Sequence, residues 1–410
     1  MKIYSLNKIA RLSVILLLLS SMGFIYSCKK DNSGPPMISS VRLLDSTARD
    51  SVFVETTVGN IIVINGSGFD GVMNVYFNEV EAPFNAAIAS NTAIILRIPS
   101  DAPTSVTDPA VPNTIRVVTT HGEASFTFKL LLPPPAITSI SNENALAGST
   151  ITITGDKFYL TKIIFPGNKE VSDFTVNSAA TQVSVVVPAG ITTGGPLQLA
   201  GIFGTGATTY PFASYLSPSI GFLANFEDGD AHFGWQYWGG NKTNSGFTNN
   251  TGNFIQVHPS GTINAGDGSW YSDNRAVMVA AGPWVATADM ENPIENYALK
   301  FEINVKTPWK NGSLMIAPNG NFNLMARYAP WETSGGTFQT DGWVTATIPL
   351  NKFLAGSGSY NPTGAPAANF AALTGGTNST SLQIMLYNDS STPLTGFDAA
   401  IDNVRIVKVK

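Results

Sequence analysis

The chain has 410 residues, of which 12% are charged, with 38 glycines, three histidines, one cysteine and a formal net charge of −5. There is no basic stripe beyond Lys29-Lys30, which argues against nucleic acid as a partner, and three histidines with one cysteine give no support to a zinc centre. One core rarely extends over such a length, so two or three domains are expected, and the low charge with many Gly, Thr, Ser and Asn suits an all-β exported protein.

The first element in chain order is an export signal. Lys2, Lys8 and Arg11 form a basic start, and an apolar run from Val14 to Leu19 continues with interruptions to Ile25. The run is too short for a stable span of ~20 apolar residues. Residues 1–27 therefore read as a signal peptide. The lone Cys28 follows Ser27 and precedes Lys29, Lys30 and Asp31. This stretch resembles a bacterial lipobox, with Tyr26 the unusual member. The alternative is an ordinary signal peptide with an incidental cysteine, but an unpaired thiol in an exported chain asks for a reason. Acylation at Cys28 would supply enough hydrocarbon for stable anchoring. The expectation is a lipidated linker over 28–35 and a protein held at a Gram-negative outer membrane without spanning it. Removal of 1–27 takes away three positive charges and no negative ones, leaving −8.

Two related modules follow. The first reads PMISSV, GNIIVINGSGF, VYFN and ILRIP; the second reads PAITSI, GSTITITGDKF, IIFPG and VVVP. Gly59, Gly66, Phe69 and Pro99 recur 89 residues later as Gly148, Gly155, Phe158 and Pro188. A repeat this long is a domain duplication. Ile61 and Val63, and then Ile151 and Ile153, alternate with polar or small neighbours as strands do. The motif set resembles the IPT/TIG immunoglobulin-like family, over 36–132 and 133–216. That resemblance implies two small antiparallel sandwiches without a cysteine pair, most simply spacers, joined through the stiff Pro133-Pro134-Pro135. Neither copy contains a catalytic cluster, and His121 reads as a solvated bystander.

The last module, 217–410, is also β. Leu299, Phe301, Ile303 and Val305 alternate with Lys300, Glu302 and Asn304, and Leu382, Ile384 and Leu386 repeat the pattern. Strands between Gly/Asn/Pro-rich loops argue for a jelly-roll-like sandwich. The expected fold class is all-β: two immunoglobulin-like (IPT/TIG) sandwiches followed by a jelly-roll-like β-sandwich.

All seven tryptophans lie in this module, between Trp235 and Trp343, mostly beside Gly, Pro or Asn. An indole either caps a sandwich core or lies open to something with flat faces, as sugars have. Trp235, Trp238, Trp270 and Tyr271 are the first candidates for a binding platform, with Trp331 next. Gln236, Asn241, Asn244, Asp267, Asp273 and Asn274 stand near them as hydrogen-bonding groups. Trp309 and Trp343 fit a core role better, and Trp343 directly precedes a strand. A calcium site from Phe226–Asp230 with Asp398 and Asp402 is the less favoured reading, so no metal or cofactor is assigned. No carboxylate pair, Gly-x-Ser-x-Gly or P-loop supports catalysis, and the chain reads as a non-enzyme.

The mature chain as a whole resembles the surface glycan-binding lipoproteins that accompany starch-utilisation-type transporters. The residues behind this are FLANFEDG, the Trp235/Trp238 pair, SWY at Trp270–Tyr271, APW at Trp331, GWVTATIPLNKF and the closing IDNVRIV. The last module looks like the xyloglucan-binding domain of that family. The resemblance implies binding of a β-linked plant polysaccharide such as xyloglucan on a platform from Trp235 or Trp238 with Trp270 and Tyr271. It also implies cell-surface display and a TonB-dependent transporter as a partner. The rival reading is a structural or adhesive lipoprotein that grips a protein with the same aromatics.

Overall fold

The computed structural model describes residues 34–44, 52–229, 241–356 and 362–410, and divides into two compact units, 1–133 and 134–410. The first is a sandwich. A three-stranded sheet of Met37–Leu43, Ile61–Ser67 and Ala93–Arg97 faces a four-stranded sheet of Val80–Glu81, Val72–Phe77, Thr114–Thr119 and Gly122–Thr127. Ile62, Ile64, Phe69, Val75, Phe77, Ile115 and Val117 fill the space between them. The phase expected for this strand does not hold. Ile61 is exposed and Ile62 and Ile64 face the core, in the positions that Ile151 and Ile153 hold in the second copy.

The second sandwich, from 134 to about 216, repeats the design. One sheet runs Ala136–Ile140, Thr150–Asp156, Gln182–Val186, Phe174–Val176, and the other Lys169–Val171, Leu160–Phe165, Gly195–Gly201, Gly204–Phe212. The shared motifs have a common physical cause. A Cβ at Gly66 would lie 2.0 Å from the Met37 carbonyl oxygen and 2.5 Å from the tip of Phe69. At Gly155 the distances are 1.9 Å to the Ala136 oxygen and 2.7 Å to the tip of Phe158. Only glycine permits the first strand and the phenylalanine to close on the same spot. The register slips at matching places, between Ile38 and Ser40 and between Ile137 and Ser139. The Pro-x-Ile-x-Ser signature is thus a bulge.

The C-terminal sandwich is antiparallel throughout. One sheet is ordered Asn241–Thr243, Phe254–Val257, Ala399–Lys408, Tyr297–Val305, Val344–Pro349, with Phe222–Ala224 paired to Ala399–Lys408. The other is ordered Ala276–Pro283, Ser379–Tyr387, Ser313–Pro318, Leu324–Tyr328, Leu354–Ala355. Leu299, Phe301, Ile303 and Val305 meet Val277, Leu314, Ile316, Leu382, Ile384 and Leu386 in one core. The alternation in Tyr297–Val305 implied a wet outer face, yet Lys300, Glu302 and Asn304 are buried as well. The second immunoglobulin-like module covers Lys300 and Glu302, through Glu143, Asn144 and Tyr210, and Asn304 accepts from Thr340.

Candidate functional site

The tryptophans divide by environment. Trp284 donates its indole N–H to the Thr380 carbonyl and Trp309 to that of Asn311, both fully inside the main core. Trp309 also meets Phe397 edge-on, with centroids 5.1 Å apart. Trp343 donates to Thr248 and packs against Phe247 and Phe254. These three hold loops to the sandwich. Trp331 sits on the turn Pro330–Glu332, half-buried against the core, with its N–H on the Gly312 carbonyl. Trp235, Trp238 and Cys28 lie outside the described residues.

Trp270 is placed differently. The outer face of the second sheet carries Ala276, Met315, Ala317, Met325, Met385 and Tyr387, a cluster separate from the main core. Their side chains project away from the core because strand residues alternate between faces. Trp270 and Phe322 lie over this cluster, half-buried, with ring centroids 5.8 Å apart and planes inclined by 33°. Tyr271 is 49% exposed, and its ring stands at 79° to that of Trp270. The three rings make an angled shelf, with Trp270 and Phe322 as its floor and Tyr271 as a wall. Phe322 is not among the residues that the sequence singles out. Its signal was the same one: an aromatic in a turn, Asn321-Phe322-Asn323, held by Asn321 accepting from the Asn323 and Leu324 amides.

The loop under Trp270 is tied down. Asp267 accepts from the Ser269 amide at 2.7 Å and from Arg275 at 3.0 Å, and its own carbonyl accepts from the Asn388 amide. Burial pushes the Asp267 carboxyl up, but the Ser269 and Arg275 bonds outweigh it and hold the group below its ordinary range. Asp273, at φ 59°, accepts from the Ser260 amide and is likewise held low against the effect of burial. Farther along the face, Arg327 binds Asp389 at 2.6 Å and Glu332 at 2.9 Å. Asp389 Oδ1, Gln383 Oε1 and Arg275 Nε are buried without a protein partner. Two aromatic rings inclined by 33°, with amide, carboxylate and guanidinium groups nearby, set an apolar surface beside polar groups.

The candidate calcium ligands are otherwise engaged. Asp398 accepts from Gln256 at 2.8 Å, and Asp402 accepts from Thr251 and from the Asn403 amide, both at 2.7 Å. Burial, with Glu302 and Glu227 nearby, pushes the Asp402 carboxyl well up. Among the described residues no three His, Cys, Asp or Glu side chains gather as a metal site, and Asp230 lies outside them.

The C-terminal module is thus a two-sheet β-sandwich with aromatic rings on an outer sheet face. Residues 217–408 match the model of the surface glycan-binding protein B xyloglucan binding domain. An IPT/TIG domain-containing protein of Bacteroides ovatus is 29% identical over 196 residues, covering 44% of this chain and 40% of that protein. The match thus spans about two fifths of that curated relative's length. The crystal structure of the surface glycan-binding protein PbSGBP-B from Prevotella bryantii superposes with a TM-score of 0.59 at 21% identity, over 92% of this chain and 100% of that one. An SGBP-B from a complex xyloglucan utilization locus in Bacteroides uniformis gives 0.51 at 20% identity, over 91% and 99%. These two likenesses establish the all-β sandwich fold.

Proposed function

We propose that this protein is a non-catalytic receptor for a β-linked plant polysaccharide such as xyloglucan, displayed at the cell surface and feeding an outer-membrane uptake system. The glycan stacks on Trp270, with Tyr271 beside it, and Trp235 or Trp238 and Trp331 extend the contact. Stacking an apolar sugar face removes it from water and contributes on the order of 1 kcal/mol per ring beyond area burial. Single-site affinity is therefore modest, and many copies on one membrane make it useful. Residues 1–27 are cleaved, Cys28 carries the lipid, residues 28–35 link it to the sandwiches at 36–132 and 133–216, and the transporter is of the TonB-dependent kind.

The observation that carries this reading is the position of Trp270: half-buried on an outer sheet face, apart from the main core, on a loop that Asp267 and Arg275 hold still. A Trp270→Ala chain should run unretarded in a native gel containing xyloglucan while its melting temperature stays within a degree or two. A parallel fall in melting temperature and retention would reassign the ring to the core.

A further inference from the structure

We infer that the glycan-binding sandwich is not an autonomous module: Glu143, Asn144 and Tyr210 of the preceding immunoglobulin-like sandwich complete it, so that residues 134–410 fold as one body. The matched family domain begins only at 217, so this boundary cuts through a buried charge network. Glu143 and Arg405 are each 1% exposed, and Lys300 and Glu302 each 2%. Glu143 pairs with Lys300 and, at 2.7 Å, with Arg405. Arg405 reaches Glu302 at 2.8 Å, and Asn144 donates to the same Glu302 carboxylate at 2.8 Å. The Lys300 ammonium sits 3.6 Å from the centre of the Tyr210 ring.

Signs alternate around this cluster and two positive groups meet two negative ones. Without Glu143, Lys300 and Arg405 would share a single carboxylate in a dry setting, the situation in which a lost partner costs most. Polar backbone groups continue the joint. The Glu143 amide donates to Thr345 Oγ1 at 2.8 Å, the Thr345 amide to the Ser141 carbonyl at 2.8 Å, and Thr209 to the Lys408 carbonyl at 2.9 Å. A free spacer would leave the charged face of Tyr297–Val305 in water. Here each charge on it has a named partner more than a hundred positions away in the chain. The second immunoglobulin-like copy is therefore the fixed mount of the glycan shelf.

Scanning calorimetry of the full mature chain, with hydrogen exchange read by mass spectrometry, tests this. Two unfolding transitions are expected, one from the residues before 134 and one shared by the rest. Glu143→Ala should lower the shared transition by roughly 10 °C. It should also strip protection from Gly204–Phe212 and Tyr297–Val305 together, while the first module is unmoved. Glu143→Gln, which keeps the shape, should lower the same transition by less. Three separate transitions in the unsubstituted chain would overturn the inference. So would a Glu143→Ala effect confined to residues 134–216 with Tyr297–Val305 still protected. If the alanine variant does not fold, the number of transitions in the unsubstituted chain decides alone.

Discussion

Trp270 and Phe322 are the two rings proposed to bear the sugar face, and both pack on the outer-face methionine cluster. Phe322→Ala should weaken glycan binding about tenfold, whereas Trp270→Ala, which also removes the ring that Tyr271 stands against, should abolish it. Calorimetric titration beside thermal melts separates the two contributions. Asp267 governs the loop beneath. A carboxyl held below its ordinary value contributes stability that is present above about pH 4 and is lost as pH falls through the depressed value. Retention on immobilised glycan should then be flat from about pH 8 to pH 5 and decline only below about pH 4. Asp267→Asn should loosen the loop at neutral pH, read as faster exchange of the Ser269 amide. A sharp loss of binding near pH 6 would point to a different titrating group.

At the scale of strands and turns, the motif glycines make the firmest forecast. Adding a methyl at Gly66 or Gly155 drives it onto a backbone carbonyl that cannot swing aside, so Gly155→Ala should destabilise its unit by about 2 kcal/mol or more. A denaturant midpoint that does not move would mean that the bulged strand yields. The repeat was legible in the sequence because such constraints leave fixed residues at fixed spacing. The phase of the first copy was misread because three of the four residues in Ile61-Ile62-Val63-Ile64 are buried, which hides the alternation. Tyr297–Val305 shows the opposite failure. Its alternation is clean, but the polar side is buried, and no pattern within a strand reports that Glu143, 157 positions earlier, pairs with Lys300 or that Arg405, 103 positions later, pairs with Glu302. The aromatic shelf was half legible. Trp270 and Tyr271 stood out by type and setting, whereas the Met315, Met325 and Met385 floor that lifts them out of the core comes from three places in the chain.

For the whole molecule, the proposed lipid anchor has its own test. Cys28→Ala should move the protein from the membrane fraction to the soluble one after cell lysis without altering glycan affinity. Retention in the membrane would remove the lipid from the account. Residues 217–408 match a xyloglucan-binding domain model, and the shelf on the outer sheet face is proposed to take the glycan. Titration calorimetry of the mature protein against soluble xyloglucan and mixed-linkage β-glucan, run with the Trp270→Ala chain alongside, tests that claim most directly. Saturable binding to at least one of the two glucans, absent from the Trp270→Ala chain at unchanged stability, is the predicted result. Binding that survives the substitution undiminished, or no binding to either polysaccharide, would contradict it.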